Sequence, residues 1–88
     1  MRTNLDLKRE KNITTDLNEL VVWYDEVINL ESLIKTIIDV CNFSEKKSTD
    51  IALDSLLDGF AIVSTGKCDT LITLQNAFLK RSITTTIR

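Results

Sequence analysis

Three aspartates at four-residue spacing form the pattern in this chain that is most suggestive of surface chemistry. Asp50, Asp54 and Asp58 fall on one face of a predicted helix, because residues four apart lie above one another on a helix surface. Like charges at this spacing repel by roughly 0.2–0.5 kcal/mol per pair. Two interpretations stay open: a solvated face that maintains solubility, or an acidic ridge that docks a basic partner or the chain's own basic tail. A metal site is not expected, because a straight helix does not wrap carboxylates around Ca²⁺ as a loop does.

The residue types argue against catalysis and against a bound cofactor. The chain contains no His, which removes the commonest general base and the commonest metal ligand. Cys41 and Cys68 lie far apart, without the C-x-x-C spacing of zinc sites, and Cys41 is expected to be a small buried hydrophobe. We therefore expect no catalytic, cofactor-binding or metal-binding residues, and a protein that is not an enzyme.

The segment Ser64–Cys68 is similar to a phosphate-binding loop only in outline. Six residues separate Gly59 from Gly66, where the loop needs four. Cys68 stands where a Ser or Thr hydroxyl should bind Mg²⁺. Nucleotide binding is therefore not predicted.

An apolar stripe with the period of a helix precedes these residues. Its members lie three or four residues apart, with a mean step of about 3.5, the spacing of a helix packed against another helix. The stripe predicts one long amphipathic helix over residues 16–42, unbroken or merely bent. Asn29 could cap a second helix, so a break at that position is the alternative. The stripe consists of Leu17, Leu20, Tyr24, Val27, Leu30, Ile34, Ile37 and Cys41.

Two shorter helices are predicted to follow as a helical hairpin. Ser48 or Thr49 is expected to cap a helix over residues 49–65, which ends at Gly66. Asp69 is expected to cap a helix over residues 69–81. The sequence thus predicts an all-α fold, a small helical bundle forming a single domain over residues 1–88.

The two ends of the chain are predicted to be flexible arms. Residues 1–13 are polar and weakly patterned. Residues 83–88 are rich in β-branched side chains, which are poor helix formers. An extended conformation of this tail is the alternative interpretation.

The apolar face of the first predicted helix is wider than one partner helix needs. Val22, Leu33 and Val40 fall beside the main stripe, so we expect a homodimer formed through this helix, a way to bury the excess. Trp23 either covers a satellite core or anchors an interface, where Trp is favoured. The predicted interaction residues are Trp23, Ile34, Ile37, Asp50, Asp54 and Asp58.

Charge is distributed unevenly along the chain, whose net charge is −2. Residues 1–11 carry four bases and two acids, residues 12–66 carry three bases and ten acids, and residues 67–88 carry four bases and one acid. We predict a non-enzymatic protein–protein interaction module, a small regulator, inhibitor or chaperone that acts through helix faces. The alternative is a dimeric DNA-binding regulator that uses helix 69–81 and the basic tail as part of a helix-turn-helix.

The predicted layout resembles two groups of small helical proteins. A long helix, a polar loop and a helical hairpin are similar to small bacterial regulators of the biofilm and acid-resistance connector type, and to small secretion chaperones. The resemblance implies a partner protein and assigns no residues. With no apolar run that approaches 18 residues and no apolar leader, we expect a cytoplasmic protein that does not enter a membrane.

Overall fold

A computed structural model of the protein describes residues 17–88. Helices and strands alternate along this part of the chain, so the predicted all-α bundle is wrong. The predicted arm over residues 1–13 lies outside the described residues. The elements are β1 (Asn18–Trp23), α1 (Leu30–Cys41), α2 (Glu45–Asp58), β2 (Phe60–Gly66), α3 (Cys68–Leu79) and β3 (Thr85–Ile87).

The described strands form one antiparallel sheet in the order β2-β1-β3. Trp23 pairs with Phe60 on one side of β1, and Val22 pairs with Thr85 on the other. The register between β1 and β2 shifts once, between Leu20 and Val21. Because side chains alternate across a strand, β1 points Leu20 and Val22 toward the helices and Trp23 toward the opposite, outer face.

The predicted helix over residues 16–42 is in fact a strand, a loop and a helix. Residues 21–23 are Val-Val-Trp, types that suit a pleated strand better than a helix. The loop ends at Asn29, whose side-chain oxygen accepts a hydrogen bond from the Ser32 N–H at 2.7 Å and caps α1. The alternative interpretation is correct in that Asn29 caps a helix, but the segment before Asn29 is a strand and a loop and not a first helix.

The predicted helix over residues 49–65 is also wrong at both ends. Ser44, and not Ser48 or Thr49, caps α2 by accepting a hydrogen bond from the Lys47 N–H at 3.1 Å. The helix ends at Gly59, whose φ of 90° is left-handed and suits a residue without a Cβ. The chain then enters β2 instead of continuing as a helix.

The last third of the chain corrects two further expectations. The predicted helix over residues 69–81 lies close to α3, but α3 follows a strand, so the helix-turn-helix interpretation is wrong. The tail is not a flexible arm, because Ile83 is buried in the core and Thr85–Ile87 pair with β1. The alternative of an extended tail is correct.

The core lies between the inner face of the sheet and the helices. Its largest members come from both layers, the two-layer arrangement that a half-buried sheet requires. The core consists of Leu20, Val22, Leu33, Ile37, Ile51, Ala52, Ala61, Val63, Leu71, Phe78 and Ile83. Within residues 17–88, the longest helix, α2, has 14 residues, and no helix has the length and apolarity that a membrane crossing requires.

Candidate protein-binding surface

The predicted interface residues of the first helix lie inside the molecule. Ile37 is fully buried in the core, and Ile34 is half-buried and packs against it. The apolar excess that motivated the predicted homodimer is divided between a strand and a helix that bury it within one chain. Ile34 and Ile37 therefore stabilise the fold, and no unpartnered face of α1 remains to support a homodimer.

The acidic ridge lies on the exposed side of α2, as its spacing predicts. Because α2 begins at Glu45, it includes lysines that a helix starting at residue 49 would lack. Lys46 Nζ lies 3.2 Å from the Asp50 carboxylate in an exposed i,i+4 ion pair, which offsets part of the repulsion. No ion pair between residues of the described part involves Asp54 or Asp58.

The buried side of α2 is made of unusually small residues. Ser48, Ala52 and Ser55 are fully buried, next to Ile51. The Ser55 hydroxyl donates a hydrogen bond to the Ala52 carbonyl at 2.7 Å. The Ser48 hydroxyl has no hydrogen-bond partner among the described residues.

Three leucines lie on the outside of the same helix. The exposed fractions of Leu53, Leu56 and Leu57 are 40%, 42% and 79%. We call these three residues the leucine face. Scattered exposed leucines are ordinary, but Leu56 and Leu57 follow Leu53 by three and four residues, so each of them adjoins Leu53 on the helix surface.

The β1–α1 loop meets the α2–β2 turn at one end of the molecule. The Tyr24 N–H donates a hydrogen bond to the Gly59 carbonyl at 2.9 Å. This contact brings Asp25 and Glu26, which follow Tyr24 in the chain, to the same end as Asp58. All three carboxylate residues are exposed, and we call them the acidic end.

An exposed apolar residue adjoins the acidic end. The Asp25 Oδ1 atom accepts a hydrogen bond from the Val27 N–H at 2.9 Å, which folds the loop back on itself. Val27 is 89% exposed at the tip of this turn. The loop therefore presents two carboxylates and one apolar side chain together.

Trp23 lies on the outer face of the sheet at the end of β1. Its indole Nε1–H donates a hydrogen bond to the Thr86 Oγ1 atom at 2.9 Å. Its ring lies 5.4 Å from the Phe60 ring at an interplanar angle of 38°, a favourable aromatic separation. These contacts with two neighbouring strands hold the side chain in place, and because it remains 43% exposed it is still accessible to a partner.

The two cysteines have different surroundings. Cys41 is half-buried near the core, and burial raises the pKa of its thiol to about 11, opposed by the nearby charge of Lys47. Cys68 is the exposed first residue of α3. Within residues 17–88, no group of three or more acidic or cysteine side chains is placed to hold a metal ion.

The sequence alone did not predict the loop that carries Asp25, Glu26 and Val27. It placed Val27 on the apolar stripe of a continuous helix. The available signal was the pair of acidic residues Asp25 and Glu26 shortly before Asn29, a residue type that caps helices. If this segment is a loop, Val27 need not lie in the core.

Comparison with known proteins identifies a shared fold. No protein-family model matches the chain, and no curated protein matches it. The chain is similar to the solved structure of Agrobacterium tumefaciens ClpS2 bound to L-phenylalaninamide, with a TM-score of 0.77 and 18% sequence identity. The match covers 84% of this chain and 96% of the ClpS2 chain. The described residues therefore have a ClpS-like α/β fold, and the layouts of the two helical protein groups do not apply.

Proposed function

We propose that this chain is a non-enzymatic protein-binding module that acts as an adaptor for a partner polypeptide. Its shared fold with ClpS2 supports the proposal, because the ClpS2 structure holds an amino-acid amide. L-phenylalaninamide has a free amino group, an aromatic side chain and a carboxamide, and so it imitates the first residue of a polypeptide.

The acidic end is the observation that carries the proposal. Asp25, Glu26 and Asp58 gather at the junction of the β1–α1 loop and the α2–β2 turn. A protonated amine forms its strongest hydrogen bonds with ionised carboxylates. The exposed Val27 beside them offers an apolar contact for the side chain of the same residue.

The chemistry therefore favours a partner with a free, positively charged amino terminus followed by an apolar side chain. Because the carboxylates are exposed, solvent screens their attraction, and we expect a modest affinity that falls as salt is added. A partner whose terminal amine is blocked loses its charge and its hydrogen-bond donors to the carboxylates.

Titration calorimetry with two small ligands tests the proposal. We expect L-phenylalaninamide to bind and its N-acetylated form to bind at least ten times more weakly. The double variant Asp25→Asn/Glu26→Gln should weaken binding of the free amine by a similar factor. Asn keeps an acceptor for the Val27 N–H, so the loop geometry is retained while the charge is removed.

A matched control separates a local effect from the general loss of negative charge. Glu45 and Asp69 are exposed residues in the first turns of α2 and α3, and neither adjoins the β1–α1 loop or the α2–β2 turn in sequence. Glu45→Gln/Asp69→Asn also removes two negative charges and should leave binding within twofold. Equal binding of the free and acetylated ligands, or no binding of either at millimolar concentration, would contradict the proposal.

A further inference from the structure

The leucine face is an apolar surface that the protein's own core does not use. α2 packs inward through Ile51 and Ala52, which belong to the core. Leu53 and Leu57 lie on the opposite side, and Leu56 lies at the boundary. Within residues 17–88 the core cluster therefore forms without these leucines, although apolar residues on a helix normally face the core.

The acidic ridge runs directly beside this face. Asp50 and Leu53 are three residues apart, as are Asp54 and Leu57, so each pair lies side by side on the helix surface. An apolar strip bordered by acids on α2 is complementary to a helix whose apolar strip is bordered by bases.

The basic residues of α2 do not neutralise the ridge. Lys46 is engaged by Asp50 at 3.2 Å. The Lys47 ammonium lies 3.9 Å from the centre of the Phe43 ring, where it makes a cation–π contact. Asp54 and Asp58 are left as the exposed carboxylates of the ridge within the described part of the chain.

We propose that the leucine face and the acidic ridge together bind a basic amphipathic helix of a partner protein. The partner places apolar side chains on Leu53 and Leu57, and Lys or Arg side chains opposite Asp50 and Asp54. The apolar contact supplies most of the residence time, and the charges supply orientation and the rate of association. Asp58 belongs to both the acidic ridge and the acidic end, so the two surfaces adjoin there. The helix contacts use Asp50 and Asp54, and they do not depend on binding of a free amine at the acidic end.

The helix form of the partner follows from the shape of the surface. α2 is 14 residues long, which corresponds to about 21 Å at ~1.5 Å per residue. Leucines at positions i, i+3 and i+4 are the spacing at which one helix packs against another. An extended strand alternates its side chains with a period of two and would meet this face poorly.

A synthetic peptide of leucine and lysine residues with helical spacing serves as the probe. Fluorescence anisotropy of the labelled peptide should show saturable binding to the wild-type chain, and affinity should fall as salt is raised. A peptide with glutamate in place of lysine should bind at least ten times more weakly. Equal binding of the two peptides would overturn the charge complementarity.

Two variants separate the apolar from the charged contribution. Leu53→Ser/Leu57→Ser should weaken the affinity at least tenfold, chiefly through faster dissociation. Asp50→Asn/Asp54→Asn should weaken it severalfold, chiefly through slower association, and flatten its salt dependence. Both pairs are exposed, so circular dichroism should report unchanged folding.

A charge-matched control tests for general attraction between a basic peptide and an acidic protein. Glu31→Gln/Asp69→Asn removes two exposed charges from α1 and α3 and should leave the affinity within twofold. An equal loss in this control would overturn the proposal. The molar mass of the wild-type protein in solution could instead double as its concentration rises, while Leu53→Ser/Leu57→Ser stays monomeric. A second copy of the chain would then cover the leucine face, and this result would also overturn the proposal.

Failure of the helix-binding proposal can be distinguished from failure of amine binding at the acidic end. L-phenylalaninamide should bind equally to the wild-type chain and to Leu53→Ser/Leu57→Ser if the two surfaces act separately. Loss of peptide binding with retained amine binding locates the helix on the leucine face. Loss of both in this variant would overturn the separation of the two surfaces.

Discussion

The helices α1 and α2 differ in the size and polarity of the residues that they bury, although each contributes apolar side chains to the core. α1 turns Leu33 and Ile37 into the core and leaves its charged residues outside. α2 turns Ser48 and Ser55 inward and leaves three leucines partly or largely exposed. The first arrangement is what folding alone requires. The second leaves on α2 the apolar surface that we propose a partner helix covers.

This difference predicts that equal substitutions on the two helices have unequal effects on the free energy of unfolding. Ile37→Ala removes a fully buried side chain and should lower it by about 2–5 kcal/mol. Leu57→Ala removes a side chain that is already mostly in water and should change it by less than about 0.5 kcal/mol. Urea unfolding followed by circular dichroism measures both. A similar decrease in the free energy of unfolding for the two variants would show that Leu57 is buried in solution. The contrast between α1 and α2 would then be wrong.

The two buried serines of α2 predict that the same substitution at two positions changes the free energy of unfolding in opposite directions. Ser48→Ala deletes a buried hydroxyl without a described partner and should raise the free energy of unfolding by about 1 kcal/mol. Ser55→Ala deletes a hydroxyl that donates to the Ala52 carbonyl and should lower it by up to about 1 kcal/mol. Both substitutions gain the same small helix propensity, so the difference between the two variants isolates the hydrogen bond. Thermal unfolding that ranks Ser55→Ala as the more stable variant would contradict the assigned contacts.

The half-buried thiol of Cys41, at the end of α1, makes the free energy of unfolding depend on pH in the alkaline range. Burial raises the pKa of Cys41 from 9.0 to about 11, so folding favours the protonated thiol. Its contribution is fully present below pH 9 and is lost as the pH rises from 9 to 11. Wild-type stability should therefore fall more steeply over this interval than that of Cys41→Ala, measured by urea midpoint. Cys68→Ala, which alters an exposed thiol, is the control and should follow the wild type.

The smallest effect is expected at the acidic ridge. Asp50→Asn/Asp54→Asn/Asp58→Asn relieves repulsion at the four-residue spacing but also breaks the Lys46–Asp50 ion pair. The free energy of unfolding should rise by a few tenths of a kcal/mol at low salt and by less at high salt. A clear loss of stability would mean that the ridge stabilises α2, and the repulsion argument would then be wrong.

The sequence predicted local features better than it predicted the sheet. Asn29 has the properties of a helix cap and caps α1. Asp69 lies in the first turn of α3 but does not cap it as predicted, because the N-cap residue is Lys67. The strands were missed because Leu20 and Tyr24 happen to continue the helical spacing of Leu30 and Ile34. β1 pairs with segments more than 35 residues away in sequence, and such pairing leaves no periodic pattern in β1 itself. The strand-favouring types of residues 21–23 were its local signal.

Some of the candidate surfaces could be predicted from the sequence and others could not. The spacing of the acidic ridge was sufficient to place it on an exposed helix face. Trp23 was predicted either to cover a satellite core or to anchor an interface, and that choice stays a prediction. The acidic end was not found, because Asp25 and Glu26 meet Asp58 only after β1 and β2 have paired. The leucine face was not found, since sequence alone cannot tell which side of an amphipathic helix a protein leaves uncovered.

The measurement that tests the central claim most directly is a titration of the ¹⁵N-labelled chain with L-phenylalaninamide, followed by the backbone amide signals. Binding of the amine at the acidic end predicts the largest shift changes at Tyr24–Val27 and at residues 58–60, with smaller changes elsewhere. These changes should be absent with the N-acetylated ligand. Shifts centred on the cavity of about 170 Å³ between α3 and β3, lined by Gln75, Leu79 and Thr85, or no shifts at all, would contradict the account.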